Sequence, residues 1–410
     1  MLIISACTQP ARPKPPPQFG DVVILIIDNF ATTEATAAPS AGSNCAFTDF
    51  ENEVGAGGGG GGLPEGTAHG EAVFNVVNSQ LQAIPGTDRR SSQPRNSEWQ
   101  YLGHTITVKA LNIENFETRS IADKIDAEVK SGRYVLNMSF VVFPCEVTDW
   151  LLGTDGGRMA DADIFTEYQR IISEIQYLAA FKDLLSGLSA SAGLDAIRKH
   201  PSYRQLQMRL YYSLVAGRAF DGRSGKRTAA INLLMEDPLA VKVGEKADLR
   251  LAISVAAAGN GIYYLDPSPA SSPSVQHVSL PFPFAPALWP SVVSASASIA
   301  TTASDTTTGQ RAAYSNPGEV AMPGLYDLPG NRSAIGTSFA APRLSAWQAI
   351  YFLFYGSVIC MKNLPALNYV DQPPPGFNDN VWKDLSLRAA ASQHCPHFTD
   401  FTIPPPSQSP

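Results

Sequence analysis

Val22-Val23-Ile24-Leu25-Ile26-Ile27-Asp28 decides how this chain is read. Six apolar residues run without polar alternation over the length of one strand. A strand apolar on both faces belongs in the middle of a parallel sheet. The acid that closes it stands at the carboxyl end, where open α/β sheets place their sites.

Further along, Gly66-Thr67-Ala68-His69-Gly70-Glu71 leads into Ala72, Val73, Val76, Val77 and Leu81 at helical spacing. His69 therefore falls in the first turn of an amphipathic helix. Residues 84–98 are polar and turn-rich, 105–111 alternate as a strand, 119–131 carry a helical pattern, and 134–142 form a second buried strand. Strand, helix, strand in that order implies right-handed βαβ units. The fold class is α/β, with a largely parallel central sheet and helices on both faces. Residues 145–250 interrupt the rhythm as a helical insertion, with helical patterning over 161–188 and 194–220.

The sheet resumes at 251–260, a buried strand ending in Ala257-Ala258-Gly259-Asn260. Residues 261–287 read as a Pro- and Ser-rich loop, 291–298 as a short strand, and 311–324 as a strand and turn. Gly336-Thr337-Ser338-Phe339-Ala340-Ala341-Pro342 then feeds a serine into the first turn of a helix, with an apolar run behind it to Cys360. That run is too short for a membrane span and fits a buried helix. A serine so placed is either a helix cap or a nucleophile at the positive end of the helix dipole. The remaining boundaries follow: residues 1–20 are a leader and Pro-rich linker, 21–365 the main domain, and 366–410 a Pro-rich extension.

Of 410 residues, 44% are hydrophobic and 16% charged, enough apolar matter for a large core. The formal net charge of -7 excludes the basic footprint of a nucleic-acid partner. The run of glycines 57–62 is followed by Leu63-Pro64-Glu65, so the Lys and Ser or Thr of a phosphate loop are lacking. No cofactor is implied. Asp155, Asp161 and Asp163 near Gly156-Gly157 have acidic ligands but no EF-hand spacing, so a structural calcium ion is not readable here.

Met1-Leu2-Ile3-Ile4-Ser5-Ala6-Cys7 resembles the end of a bacterial lipoprotein signal, although its apolar stretch is short and lacks a basic start. On that reading Cys7 is a lipid anchor, and the domain stands outside the cytoplasm on a bacterial membrane surface. The alternative is a chance match. Four further cysteines (Cys45, Cys145, Cys360, Cys395) allow three pairings, and free thiols are the other reading.

Asp28, His69, Asn260 and Ser338 all fall at element ends in an otherwise apolar framework. Chain order Asp, His, Ser is one of those in which this triad geometry occurs. The words around these residues resemble the subtilisin-like serine proteases: Ile26-Ile27-Asp28, His69-Gly70, Ala257-Ala258-Gly259-Asn260 and Gly336 to Pro342. Val135-Leu136-Asn137-Met138-Ser139 is similar to that family's substrate-binding strand. Arg311 to Gly318 and Ala321-Met322-Pro323-Gly324 are similar to its strand and turn before the serine. The resemblance spans residues 21 to about 360, outside the insertion.

It implies a serine endopeptidase acting on protein or peptide substrates. Ser338 would be the nucleophile, His69 the base, Asp28 its orienting acid, and Asn260 an oxyanion donor. Ser139, Phe140 and Val141 would bind substrate, and Ala257, Ala258 and Gly259 would line a wide primary pocket suited to large apolar side chains. The sequence also departs from the family pattern. Asn29-Phe30 replaces Ser or Thr then Gly, Glu71 replaces Thr, Phe140-Val141 replaces Leu-Gly, and Arg343 replaces His. Bulk at Phe140 and Val141 is expected to narrow access to the serine. The alternative function is an inactive, subtilase-like, peptide-binding protein at the cell surface. The oligomeric state is not readable.

Overall fold

The computed structural model describes residues 20–31, 42–48, 67–113, 116–153, 158–175, 178–220, 224–260, 262–265, 275–278, 282–298, 312, 315–328 and 332–355. Expectations for Cys7, the glycine run, Asp155, Cys360, Cys395 and the Pro-rich extension lie outside those residues.

In chain order the first elements are β1 (Val22–Asp28), β2 (Asn44–Phe47), α1 (His69–Ala83), β3 (Thr87–Gln93), β4 (Asn96–Tyr101), β5 (His104–Asn112), α2 (Thr118–Glu128), β6 (Tyr134–Met138) and β7 (Val141–Pro144). The insertion follows as α3 (Val147–Leu152), α4 (Asp161–Ser173), α5 (Ala179–Leu185), α6 (Ala190–Arg198), α7 (Tyr203–Val215), α8 (Ser224–Met235) and α9 (Pro238–Asp248). The chain returns with β8 (Ala252–Ala257), β9 (Ile262–Leu265), β10 (Val275–Val278), β11 (Val292–Ser298), β12 (Val320–Pro323), β13 (Leu325–Leu328), β14 (Arg332–Ile335) and α10 (Thr337–Tyr355).

The central sheet has eight strands in the order β12-β11-β8-β6-β1-β5-β4-β3. From β12 to β5 every neighbouring pair is parallel, and only β5-β4 and β4-β3 are antiparallel. The opening strand sits where its run predicts, between β5 and β6, with each face feeding a different core. Val22, Ile24 and Ile26 pack with α1 and α10, whereas Leu25 and Ile27 join the core that includes α2, α9 and the insertion. The sequence order reverses at β1, because β5 lies on one side and β6 on the other. A crevice opens at such a reversal, outside the carboxyl ends of the strands.

Several expectations are refined. The polar stretch 84–98 is a hairpin, β3 and β4, at the sheet edge. Its exposed residues gave no apolar alternation, yet Ser97, Trp99 and Tyr101 are buried on one face. The strand expected over 134–142 breaks at Phe140, and β7 leaves the main sheet to pair antiparallel with β2. The two long helical patterns of the insertion are four helices, α4 to α7. Residues 262–278, read as loop, include the antiparallel pair β9-β10. Among the described residues no helix is long and apolar enough to cross a membrane.

Candidate active site

Asp28, Ser139 and Asn260 follow or end β1, β6 and β8, three neighbouring parallel strands. His69 opens α1 and Ser338 is the second residue of α10, and these two helices pack on each other. The carboxyl ends of these strands and the first turns of these two helices therefore carry all five residues, and all five are buried.

Two features seat His69. The Gly70 N–H donates to Asn29 O at 2.8 Å, tying the helix start to the segment after β1. A Cβ at Gly70 would lie 2.7 Å from Asn29 O and 2.9 Å from the Phe30 ring, so only glycine permits that approach. The imidazole Nδ1 then meets both oxygens of Asp28, at 2.8 and 3.0 Å. The Asp28 carboxylate also accepts the Asn29 N–H at 2.7 Å. With Nδ1 held by a carboxylate, Nε2 is the ring nitrogen left to act as a base. The His69 ring faces the start of α10, with its centroid 6.3 Å from that of Phe339.

Ser338 is fixed by an exchange with the strand behind it. Its hydroxyl donates to Ser139 O at 3.1 Å, and the Ser139 hydroxyl donates to Ser338 O at 3.2 Å. The second bond has a local cause. Pro342, inside α10, lacks the N–H that would otherwise bond the carbonyl four residues back, and that carbonyl belongs to Ser338. Ser345, one turn further, donates to Asn137 Oδ1 at 2.9 Å and anchors the same helix face to β6.

Asn260 caps the same helix from a distant strand. Its Oδ1 accepts the Thr337 N–H at 3.0 Å and the Thr337 hydroxyl at 3.2 Å, while that hydroxyl accepts the Gly259 N–H at 3.1 Å. Fixing the amide through Oδ1 leaves Nδ2 as its donating half. The Ala258–Asn260 turn is held from the other side by Asn316, whose N–H donates to Gly259 O at 2.9 Å and whose Nδ2 donates to Ala258 O at 3.2 Å. Gly259 takes φ +95°, and a Cβ there would lie 2.2 Å from the Phe284 ring. Such a group of donors, hydroxyl, imidazole and carboxylate has the parts for nucleophilic acyl transfer.

Neither a protein-family model nor a curated protein matches the chain. Among solved structures, the prenylagaramide maturation protease PagA is similar over 81% of this chain and 76% of its own, with 13% identity and a TM-score of 0.31. A mutant of the protease domain of PatA is similar over 83% of this chain and 84% of its own, with 15% identity and a TM-score of 0.32. Both neighbours are proteases, and the likeness is distant.

The remaining sequence-derived residues fall as follows. Phe140 and Val141, which the sequence suggested as substrate-binding residues, are 2% and 7% exposed and belong to the core shared with the insertion. Ala257, Ala258 and Gly259 are buried next to Asn260 in the chain, and the Phe284 ring lies against Gly259. Glu71 is engaged by Arg95 at 2.6 Å, and Arg95 also donates to Phe30 O at 2.6 Å. Arg343 bonds Pro323 O at 3.1 Å and Leu325 O at 3.0 Å, stapling the turn before β13 to α10. Among the described residues no three His, Cys, Asp or Glu side chains gather as a metal site.

Sequence reasoning passed over Thr337 and Asn316, although both lie inside stretches it had singled out. It also left the cysteine pairing open, and Cys45 and Cys145 are disulfide-bonded.

Proposed function

We propose that the chain is a serine endopeptidase that hydrolyses peptide bonds through an acyl-enzyme on Ser338. The observation that carries this reading is the buried Asp28–His69 pair at 2.8 Å, with the imidazole 6.3 Å from the Phe339 ring in the first turn of the helix that bears Ser338. In this mechanism the Ser338 hydroxyl turns from Ser139 O to His69 Nε2, which takes its proton as Oγ attacks the scissile carbonyl. Asp28 keeps the imidazole in the needed tautomer and balances the imidazolium. The developing oxyanion accepts from Asn260 Nδ2 and the Ser338 N–H, each donor worth roughly 10²–10³ in rate. The imidazolium then returns its proton to the leaving amine, and water attacks the acyl-enzyme with His69 again as base.

Incubation with an unfolded protein substrate tests the reading. Wild-type protein is expected to produce new peptide ends, and Ser338→Ala to produce none. Equal cleavage by both would assign the activity elsewhere. The lipid anchor at Cys7 and the position outside the cytoplasm belong to the same proposal. They are checked by the mass of the N-terminal peptide from a membrane fraction.

A further inference from the structure

An extended peptide that reaches a nucleophile beside a strand gains affinity chiefly by adding its backbone to that strand's edge. Here the backbone nearest Ser338 is Ser139, and the chain continues from it into β7. The capacity of β7 to accept another strand can be read from its own hydrogen bonds.

Both edges of β7 are taken. On one side it pairs with β2 in the register Val141↔Phe47, Val142↔Ala46, Cys45↔Phe143 and Asn44↔Pro144. The Cys145 N–H continues that edge by donating to Ser43 O at 2.9 Å. On the other side the Val142 N–H donates to Ala285 O at 2.8 Å, and Val142 O accepts the Tyr212 hydroxyl at 2.7 Å. Residues along a strand alternate the edge to which their polar groups point, so Val141 and Phe143 face β2 while Val142 faces away. No backbone group of the Val141–Phe143 stretch is left over for a substrate.

β2 is not a loosely held strand either. The Cys45–Cys145 disulfide ties it to the end of β7. Asn44 Nδ2 donates to the buried Asp237 at 2.7 Å and to Leu233 O at 3.0 Å. The Ala46 N–H donates to Phe116 O at 2.7 Å, so the outer edge of β2 is engaged as well. Phe47 and Phe143 stack with ring centroids 4.3 Å apart.

Resting on the peptidase reading, we infer that β2 is a specificity-determining element that ends acyl-side recognition at Ser139 and Phe140. Substrate residues third and fourth on the amino side of the scissile bond have no free backbone on β7 to ladder onto. They contribute little to rate, and the enzyme selects by what lies immediately around the bond.

The test is a series of fluorogenic peptides with one, two, three and four residues before the scissile bond, assayed on the wild-type protein with Ser338→Ala as blank. From two residues to four, kcat/KM is expected to stay within about threefold. A larger rise with length overturns the inference while leaving the peptidase reading intact. Absence of Ser338-dependent turnover at every length removes the peptidase reading, and this inference with it. Amide exchange supplies a readout independent of turnover. The amides of Val141, Val142, Phe143 and Cys145 are expected to be protected in the free protein, and no more so after labelling by a tetrapeptidyl phosphonate. Protection that appears only with the inhibitor would show that β2 yields to substrate and would overturn the inference.

Discussion

Pro342 carries no N–H, and its effect is felt at the Ser338 carbonyl, which turns to the Ser139 hydroxyl instead. Single atoms of this kind decide how firmly the proposed machinery is held. Asp28 bonds Nδ1 through both oxygens, so Asp28→Asn replaces an acceptor by a donor on one side and favours the wrong tautomer. A fall in kcat of the order of 10⁴ is expected with the fold intact. It is measured by steady-state hydrolysis alongside circular dichroism. Asn260→Ala should lower kcat by roughly 10²–10³ and leave KM little changed, because the lost donor serves the oxyanion rather than the bound substrate. Gly259→Ala combines a left-handed backbone with a Cβ 2.2 Å from Phe284, and a lower unfolding midpoint is expected.

Elements, rather than residues, account for what the sequence could and could not reveal. β1 was legible because burial on both faces leaves an unbroken apolar run, and α1 because its buried stripe repeats at helical spacing. β3 and β4 were not, since an edge hairpin with one wet face shows mostly polar residues. The break at Phe140 was invisible for another reason. Tyr134 to Pro144 is apolar in both halves, and what bends it is a partner, β2, almost a hundred residues away. The same distance hid the Cys45–Cys145 pair. Asp237, the N-cap of α9, sits at the back of this assembly and accepts from the Leu239 N–H, Asn44 and Thr118. Burial raises its carboxyl above the ordinary carboxylate value, the hydrogen bonds offsetting this only in part. The folded state therefore holds its proton longer than the unfolded state does. Stability should fall as pH rises from the ordinary carboxylate range through the raised value. Urea midpoints across that window should slope downward for the wild type, and Asp237→Asn should remove the slope.

At the scale of the whole molecule, two hydrophobic cores grip one sheet from opposite faces, and the crevice at the strand ends draws on both. The β2–β7 clamp joins the α2 side to the insertion, and its disulfide closes a loop spanning 100 residues. Cross-linking so long a loop stabilises by roughly 4–5 kcal/mol in the chain-entropy account. Cys45→Ser with Cys145→Ser should therefore lower the unfolding free energy by about that much in denaturant titration. The words that carry the family resemblance are short and local, whereas the insertion and β2 lie outside them. The proposed function depends on one atom, the Oγ of Ser338. The most direct measurement is the mass of the protein after exposure to a small fluorophosphonate, followed by location of the adduct. A single adduct on the peptide containing Ser338, lost in Ser338→Ala and strongly slowed in Asp28→Asn, is the predicted result. No adduct, or one that persists in Ser338→Ala, would contradict it.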